Sequence, residues 1–191
     1  SPDTVIRYRG GLYEMNPNYW KDSPKRDRNR ITLTDALAKS CNVAFAKVAL
    51  RSLSASDLRN RAVLFGFNRE LDFELPMEVS AIRIGAGEKN LAMTAAGFGD
   101  VGMSPLHAAM IAAMIANNGV MMSPRIVERV VRDGEEVYTL QERSLGNAIR
   151  PETAEKLAKM MLQTVKKGTS KHAFYGWGNI PSLQDIRVGG K

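Results

Sequence analysis

Two places in this sequence set proton-carrying side chains on backbone that bends or extends. Ser40-Cys41-Asn42 lies on a tight connection between two helical stretches, and Val188-Gly189-Gly190-Lys191 is a strand-like run reaching a lysine. In an extended or turning segment, residues i and i+2 point to the same side, so a hydroxyl and a carboxamide can face one cleft. The hydroxyl can relay a proton, and the carboxamide offers a peptide both a donor and an acceptor. The bland alternative is that Ser40 and Asn42 cap helices, and a bare Ser-x-Asn tripeptide does not choose between the two. Lys191, read alone, is an exposed lysine in a frayed tail.

The elements that must position these residues follow from capping and turn chemistry. Residues 1–30 are rich in Gly, Pro, Asn and Arg and lack sustained periodicity, which predicts an irregular lead-in with a short strand over residues 5–9. Thr32 followed by Asp35 predicts a capped helix over 33–39. A second helix is expected to start at Asn42, its amide as the cap, with Val43, Phe45, Ala46 and Ala49 along it. Ser54-Ala55-Ser56-Asp57 opens a third, ending at Gly66. Ser104-Pro105 is a cap followed by proline at the first helical position. That helix has Leu106, Met110, Ala113 and Met114 on its apolar face and closes at Asn118-Gly119. Residues 126–131 and 137–140 flank Asp133-Gly134, a hairpin signal. Pro151 opens another helix, with Leu157, Met160, Met161 and Thr164 on one face and Gly168 at its end. A short strand is expected over 186–188. Helix dominates, with a minor sheet component.

Composition bounds the function. The 191 residues, 44% hydrophobic and 25% charged, suit one soluble globular unit with a real core. No apolar run approaches the roughly 20 residues of a membrane span, and no signal-peptide pattern opens the chain. Lys and Arg number 27 against 20 Asp and Glu, a net charge of +7, which favours an anionic partner. The densest basic stretch, 21–30, includes Asp22, Pro24 and Asp27 and no aromatics, so it reads as a solvated loop and not as a nucleic-acid platform. Cys41 is the sole cysteine, which excludes an intrachain disulfide and a cysteine metal cage. The two histidines, His107 and His172, have no paired spacing, so neither a metal nor another cofactor is expected.

The strings around these residues carry a family resemblance. Leu33 to Lys47, with Ser40-Cys41-Asn42 inside it, closely resembles the second active-site segment of penicillin-binding proteins. Leu64-Phe65-Gly66-Phe67 and Glu74-Leu75-Pro76 resemble the next segment of that family. Residues 97–106 and Ile115-Ala116-Asn117-Asn118-Gly119 are similar to the family's "Gly-x-Gly…Thr-Pro-Leu…Ala-Asn-Gly-Gly" stretch, and Lys167-Gly168-Thr169 to the end of its next helix. The similarity covers nearly everything after residue 30, in the right order. Lys167-Gly168-Thr169 is not the family's Lys-Thr-Gly motif, since its order is wrong and it sits at a helix end, where glycine is a natural stop. Residues 186–191 resemble the strand leading into Lys-Thr-Gly, which assigns that lysine to Lys191.

The resemblance implies an α+β, helix-dominated fold: the helical subdomain and some sheet-flanking helices of a penicillin-binding transpeptidase domain, with a small β-hairpin. It implies a serine D,D-transpeptidase of the monofunctional, class B type, acting on peptidoglycan stem peptides and acylated by β-lactams. In such enzymes a Ser-x-x-Lys motif supplies the nucleophile and the lysine that activates it. Ser40 would then pass a proton between that lysine and the leaving nitrogen, Asn42 would bind the donor peptide backbone, and Lys191 would set the electrostatics around Ser40 and the substrate carboxylate. A related carboxypeptidase or β-lactamase and a non-catalytic β-lactam sensor are the alternatives. The long helical region between Ser-x-Asn and Lys191 argues against the β-lactamase.

These 191 residues contain no Ser-x-x-Lys. Thr153-Ala154-Glu155-Lys156 has the spacing but falls inside a helical pattern. The chain is therefore expected to be part of a longer, membrane-anchored protein on the extracytoplasmic face, its nucleophile upstream and cell-elongation or division proteins as partners. Alone it is expected to be inactive, its C-terminal strand frayed or paired with another molecule. His107 is expected to be partly exposed, the methionines to fill the core, and Tyr175 and Trp177 to lie near the cleft.

Overall fold

The computed structural model describes residues 1–174, 176 and 185–191. In chain order it holds β1 (Val5–Tyr8), α1 (Pro17–Trp20), β2 (Asn29–Thr32), α2 (Leu33–Ala38), α3 (Asn42–Ser52) and α4 (Ala55–Leu64). Then come β3 (Ala81–Arg83), α5 (Glu88–Ala95), β4 (Asp100–Gly102), α6 (Pro105–Ala116), β5 (Val120–Met122), β6 (Arg129–Arg132), β7 (Glu135–Thr139), β8 (Ser144–Asn147) and α7 (Pro151–Lys167). The strands form separate antiparallel pairs: β1 with β2, β3 with β4, β5 with β8, and β6 with β7.

Helix starts sit where cap chemistry puts them. Thr32 Oγ1 accepts from the Asp35 amide, Ser54 and Asp57 form a reciprocal capping box, and Ser104 Oγ accepts from the His107 amide ahead of Pro105. Asn42 is the exception. It is the first residue of α3 and its Nδ2 donates to the Tyr13 carbonyl, while Cys41 holds the cap position without a side-chain bond. The hairpin turn is as its sequence demands, with Asp133 at φ 53° and Gly134 at φ 83° giving the doubly left-handed turn that matches strand twist. Its first strand starts later than the apolar pattern and its second starts earlier, at Glu135, and a bulge between Val130 and Val131 shifts the register.

Three apolar clusters hold the body. In the first, Ile6, Tyr8 and Ile31 of the β1–β2 pair pack on Ala36, Cys41, Val43 and Ala44. In the second, Met110 and Met114 of α6 meet Met121 and Ala148. In the third, Trp20 joins Ala46 and Ala92. Complete burial of a side chain such as Ile6 contributes about 1.5–3 kcal/mol. Met110, Met114, Met121 and Met160 are buried as expected, but Met161 is half-buried and Met103 is 49% exposed, so the methionines do not all fill the core.

Four expectations need correction. Residues 1–30 are more ordered than their composition suggests, since β1 pairs with β2 and α1 lies between them. The stretch 21–30 exposes its basic groups but turns Asp27 inward, 3% exposed, toward the fully buried Lys47. Lys47 Nζ lies 2.6 Å from Asp27 and 3.0 Å from Asp22, and Arg9 and Arg51 complete the cluster. His107 is fully buried: its Nε2 is 2.7 Å from the Phe65 carbonyl and its ring tilts against Phe67. Residues 186–188 form no strand and pair with no other segment among the described residues, and the residues after them lie against α7, with the Gly190 amide donating to the Met161 carbonyl at 3.2 Å. Tyr175 and Trp177 lie outside the described residues.

Candidate active site

The turn that carries Ser40 is built by the end of α2. The Ser40 amide donates to the Leu37 carbonyl at 3.2 Å and the Cys41 amide to Ala36 at 2.8 Å. With Ser40 left-handed at φ 54°, this is a Schellman closure whose left-handed position is usually glycine. A serine there carries a steric cost of about 1–2 kcal/mol. The next residue, Cys41, is fully buried in the first apolar cluster, and burial pushes its thiol pKa up. It acts as an anchor between two polar neighbours.

Asn42 is held by the lead-in. Its backbone amide donates to Leu12 at 2.8 Å and its Nδ2 to the Tyr13 carbonyl at 3.0 Å. That leaves Oδ1 as its acceptor for another molecule. Leu12 and Tyr13 come from the stretch read as irregular, and nothing in their types marks them, because both act through backbone carbonyls.

Lys191 reaches the same turn from the other end of the sequence. Its Nζ donates to Ser40 Oγ at 2.6 Å, while Asn42 bonds to neither. Burial lowers the Lys191 pKa from its ordinary value, favouring the neutral amine. Because the Ser40 oxygen accepts from Lys191, its own proton is free to point toward a second acceptor. A hydroxyl so placed can take a proton on one side and deliver one on the other.

The Lys191 backbone is set by α7. Gly189 lies so close to the helix that a Cβ there would be 3.1 Å from the Leu162 nitrogen. The C-terminus of α7 also touches α2: Thr169 N–H donates to the Ala38 carbonyl at 3.0 Å, and Lys167 Nζ lies 2.6 Å from Asp35. That ion pair holds the Asp35 carboxyl below its ordinary range. Gly168 ends α7 as its position suggested, with an extended backbone. Its φ is −105°, and a Cβ would sit 2.0 Å from the Ala38 carbonyl oxygen. Thr153 to Lys156 are plain α7.

Comparison with known proteins identifies the family of the chain. The family model "Penicillin binding protein transpeptidase domain" matches residues 1–191. The peptidoglycan D,D-transpeptidase PbpA of Mycobacterium tuberculosis is 32% identical over 165 residues, which is 85% of this chain and 32% of that protein. Penicillin-binding protein 3 of Bacillus subtilis is 30% identical over 102 residues, 52% of this chain and 15% of that one. The crystal structure of the M. tuberculosis protein superposes with a TM-score of 0.74 at 28% identity, covering 92% of this chain and 41% of that chain. Its imipenem acyl-enzyme complex superposes with a TM-score of 0.71, also at 28% identity, covering 92% and 40%. The chain thus spans about a third of the length of its M. tuberculosis relative. With the family model matched throughout and the Ser-x-Asn turn meeting the distant lysine, this chain belongs to the penicillin-binding-protein transpeptidase family.

Proposed function

We propose that the protein containing these residues is a peptidoglycan D,D-transpeptidase, and that Ser40, Asn42 and Lys191 form one wall of its active site. The observation that carries this is the 2.6 Å contact from Lys191 Nζ to Ser40 Oγ, made within a chain of the transpeptidase family. The relative named PbpA is a D,D-transpeptidase, and its structure is known as an acyl-enzyme with imipenem.

In this reading a serine outside residues 1–191 attacks the carbonyl of the penultimate D-alanine of a stem peptide, or the β-lactam carbonyl. The C–N bond breaks, the leaving nitrogen takes a proton through Ser40, and an ester to the serine remains. The amine of a second stem then attacks that ester and releases the serine, forming the cross-link. Lys191 orients the Ser40 oxygen and contributes positive potential toward the substrate carboxylate when protonated. The Asn42 carboxamide binds the donor peptide backbone.

Peptidoglycan places the reaction outside the cytoplasm. No helix among the described residues is long and apolar enough to cross a membrane. The reading adds a membrane anchor and elongation or division proteins as partners of the longer protein. The test is fluorescent-penicillin labelling of the intact protein with mass mapping of the labelled peptide. Label on a serine outside residues 1–191 is expected, with none on the purified 191-residue chain. Label within residues 1–191, or none on the intact protein, would contradict the proposal.

A further inference from the structure

One helix touches both halves of the candidate site. The middle of α7 holds the Lys191 segment, through Met161 and the close approach of Gly189 to Leu162. Its C-terminus holds α2, whose last residue lies two positions before Ser40. The distance between Ser40 and Lys191 is therefore set through α7.

The contact at the α2 end is made by three consecutive residues. At six residues, α2 is far too short to persist unaided. Of its last three carbonyls, Ala36 and Leu37 are closed by the turn itself, while Ala38 accepts from Thr169 N–H. Gly168 is extended at φ −105° and ψ −155°, a backbone any residue adopts, so its role is the approach and not the conformation. A Cβ there would meet Ala38 O at 2.0 Å, Ala38 C at 2.7 Å and Thr164 Cα at 2.8 Å. All three are backbone atoms, so relief requires moving α2 or α7 itself. Lys167 closes the clamp from the first turn of α2, 2.6 Å from Asp35.

We propose that Lys167, Gly168 and Thr169 are positioning residues that hold Ser40 at its distance from Lys191. The inference rests on the functional reading above and extends it to a segment that touches no substrate. To relieve contact at 2.0 Å, a Cβ at 168 must displace the α2 end by about 1 Å, and a displacement of that size costs on the order of 10²-fold in rate when it falls on reacting groups.

The test uses the intact protein and single-turnover acylation by a fluorescent penicillin, read as a limiting rate and a half-saturation concentration, with a thermal melt of each variant. Gly168→Ala is expected to lower the limiting rate by about 10²-fold while half-saturation stays within about twofold. Lys167→Met is expected to lower the limiting rate several-fold, and Lys167→Arg, which keeps the ion pair, to restore it. Ala154→Gly, which loosens α7 away from Ala38, is expected to lower the melting temperature and leave acylation unchanged. Folded Gly168→Ala acylating at the wild-type rate would overturn the inference. So would Ala154→Gly slowing acylation as much as Gly168→Ala does. If Gly168→Ala does not fold, the Lys167 variants decide, and Lys167→Met at the wild-type rate overturns it. A wild-type protein that takes no label would overturn the functional reading and this inference together, whereas a labelled wild type with unaffected variants overturns this inference alone.

Discussion

Lys191 Nζ donates to Ser40 Oγ at 2.6 Å, across a separation of 151 residues. The amine comes from a segment lying along α7, and the hydroxyl stands in the left-handed position of a helix-closing turn. In the proposed function the amine orients the Ser40 oxygen and adds positive potential, so a side chain that removes both should slow acylation. Lys191→Met is expected to lower the limiting rate of penicillin acylation by about 10²–10³-fold, the size of losing one electrostatic donor at an active site. Stopped-flow acylation of the intact protein checks this, and a wild-type limiting rate would remove Lys191 from the chemistry.

Acid should unfold the protein through its clamped aspartates. The Arg51 guanidinium, with Lys47, holds Asp22 down to about 2 against the opposing effect of burial. For Asp27, burial pushes the pKa up, but the Lys47 hydrogen bond and the Ser23 amide outweigh it and the net direction is down. Asp35 is lowered by Lys167. A carboxyl whose folded pKa is depressed contributes stability above its unfolded value of 3.8 and loses it as pH falls toward the folded one. The melting temperature of the intact protein is expected to hold from pH 7 to 5 and to fall between about pH 4 and 2. Arg51→Met should flatten that fall, and a melting temperature constant to pH 2 would contradict the assignment.

The charge under α3 is a second point of vulnerability. Lys47 is fully buried, and removing it leaves the buried Asp27 carboxylate with Arg9 as its charged partner. Lys47→Met is expected to destabilise by about 3 kcal/mol in urea unfolding, the low end for breaking a buried pair because Arg9 remains. Lys47→Met with Asp27→Asn should recover part of that loss, because the buried charge is gone. Additive losses in the double variant would contradict a direct pair.

Much of this was legible in the sequence, and the gaps have physical causes. Thr32, Ser54, Ser104 and the Asp133-Gly134 turn act locally, through bonds to residues two to four positions away, so their spacing announces them. The matched family and its transpeptidase fold were visible in the strings around Ser40. The Lys47–Asp27 pair was not, because each residue looks like an ordinary surface charge and burial arises only when α3 folds over residues 21–27. His107 was hidden for the same reason, its partner being a backbone carbonyl 42 positions away. The segment 186–188 has strand-like residue types, but no described strand pairs with it, and residue type alone does not make a strand without a partner.

Two glycines separate backbone strain from crowding. Gly134, at φ 83°, has open space where a Cβ would go, so Gly134→Ala should cost only about 1–2 kcal/mol. Gly119, at φ 88°, would place its Cβ 2.2 Å from the Ile149 carbonyl oxygen. Gly119→Ala is expected to exceed the hairpin variant by at least about 1 kcal/mol, an excess typical of overpacking. Denaturant unfolding of both variants checks the order, and equal costs would contradict the packing around Ile149.

The most direct measurement concerns Ser40 itself. Glycine fits its left-handed turn better than serine does, so a serine kept there for its hydroxyl trades stability for chemistry. Ser40→Gly in the intact protein, followed by thermal melting and by fluorescent-penicillin acylation, separates the two. The expected result is a melting temperature at or above that of the wild type, with the limiting acylation rate lower by about 10²-fold or more. Acylation at the wild-type rate would contradict the assignment of Ser40 to the proton relay.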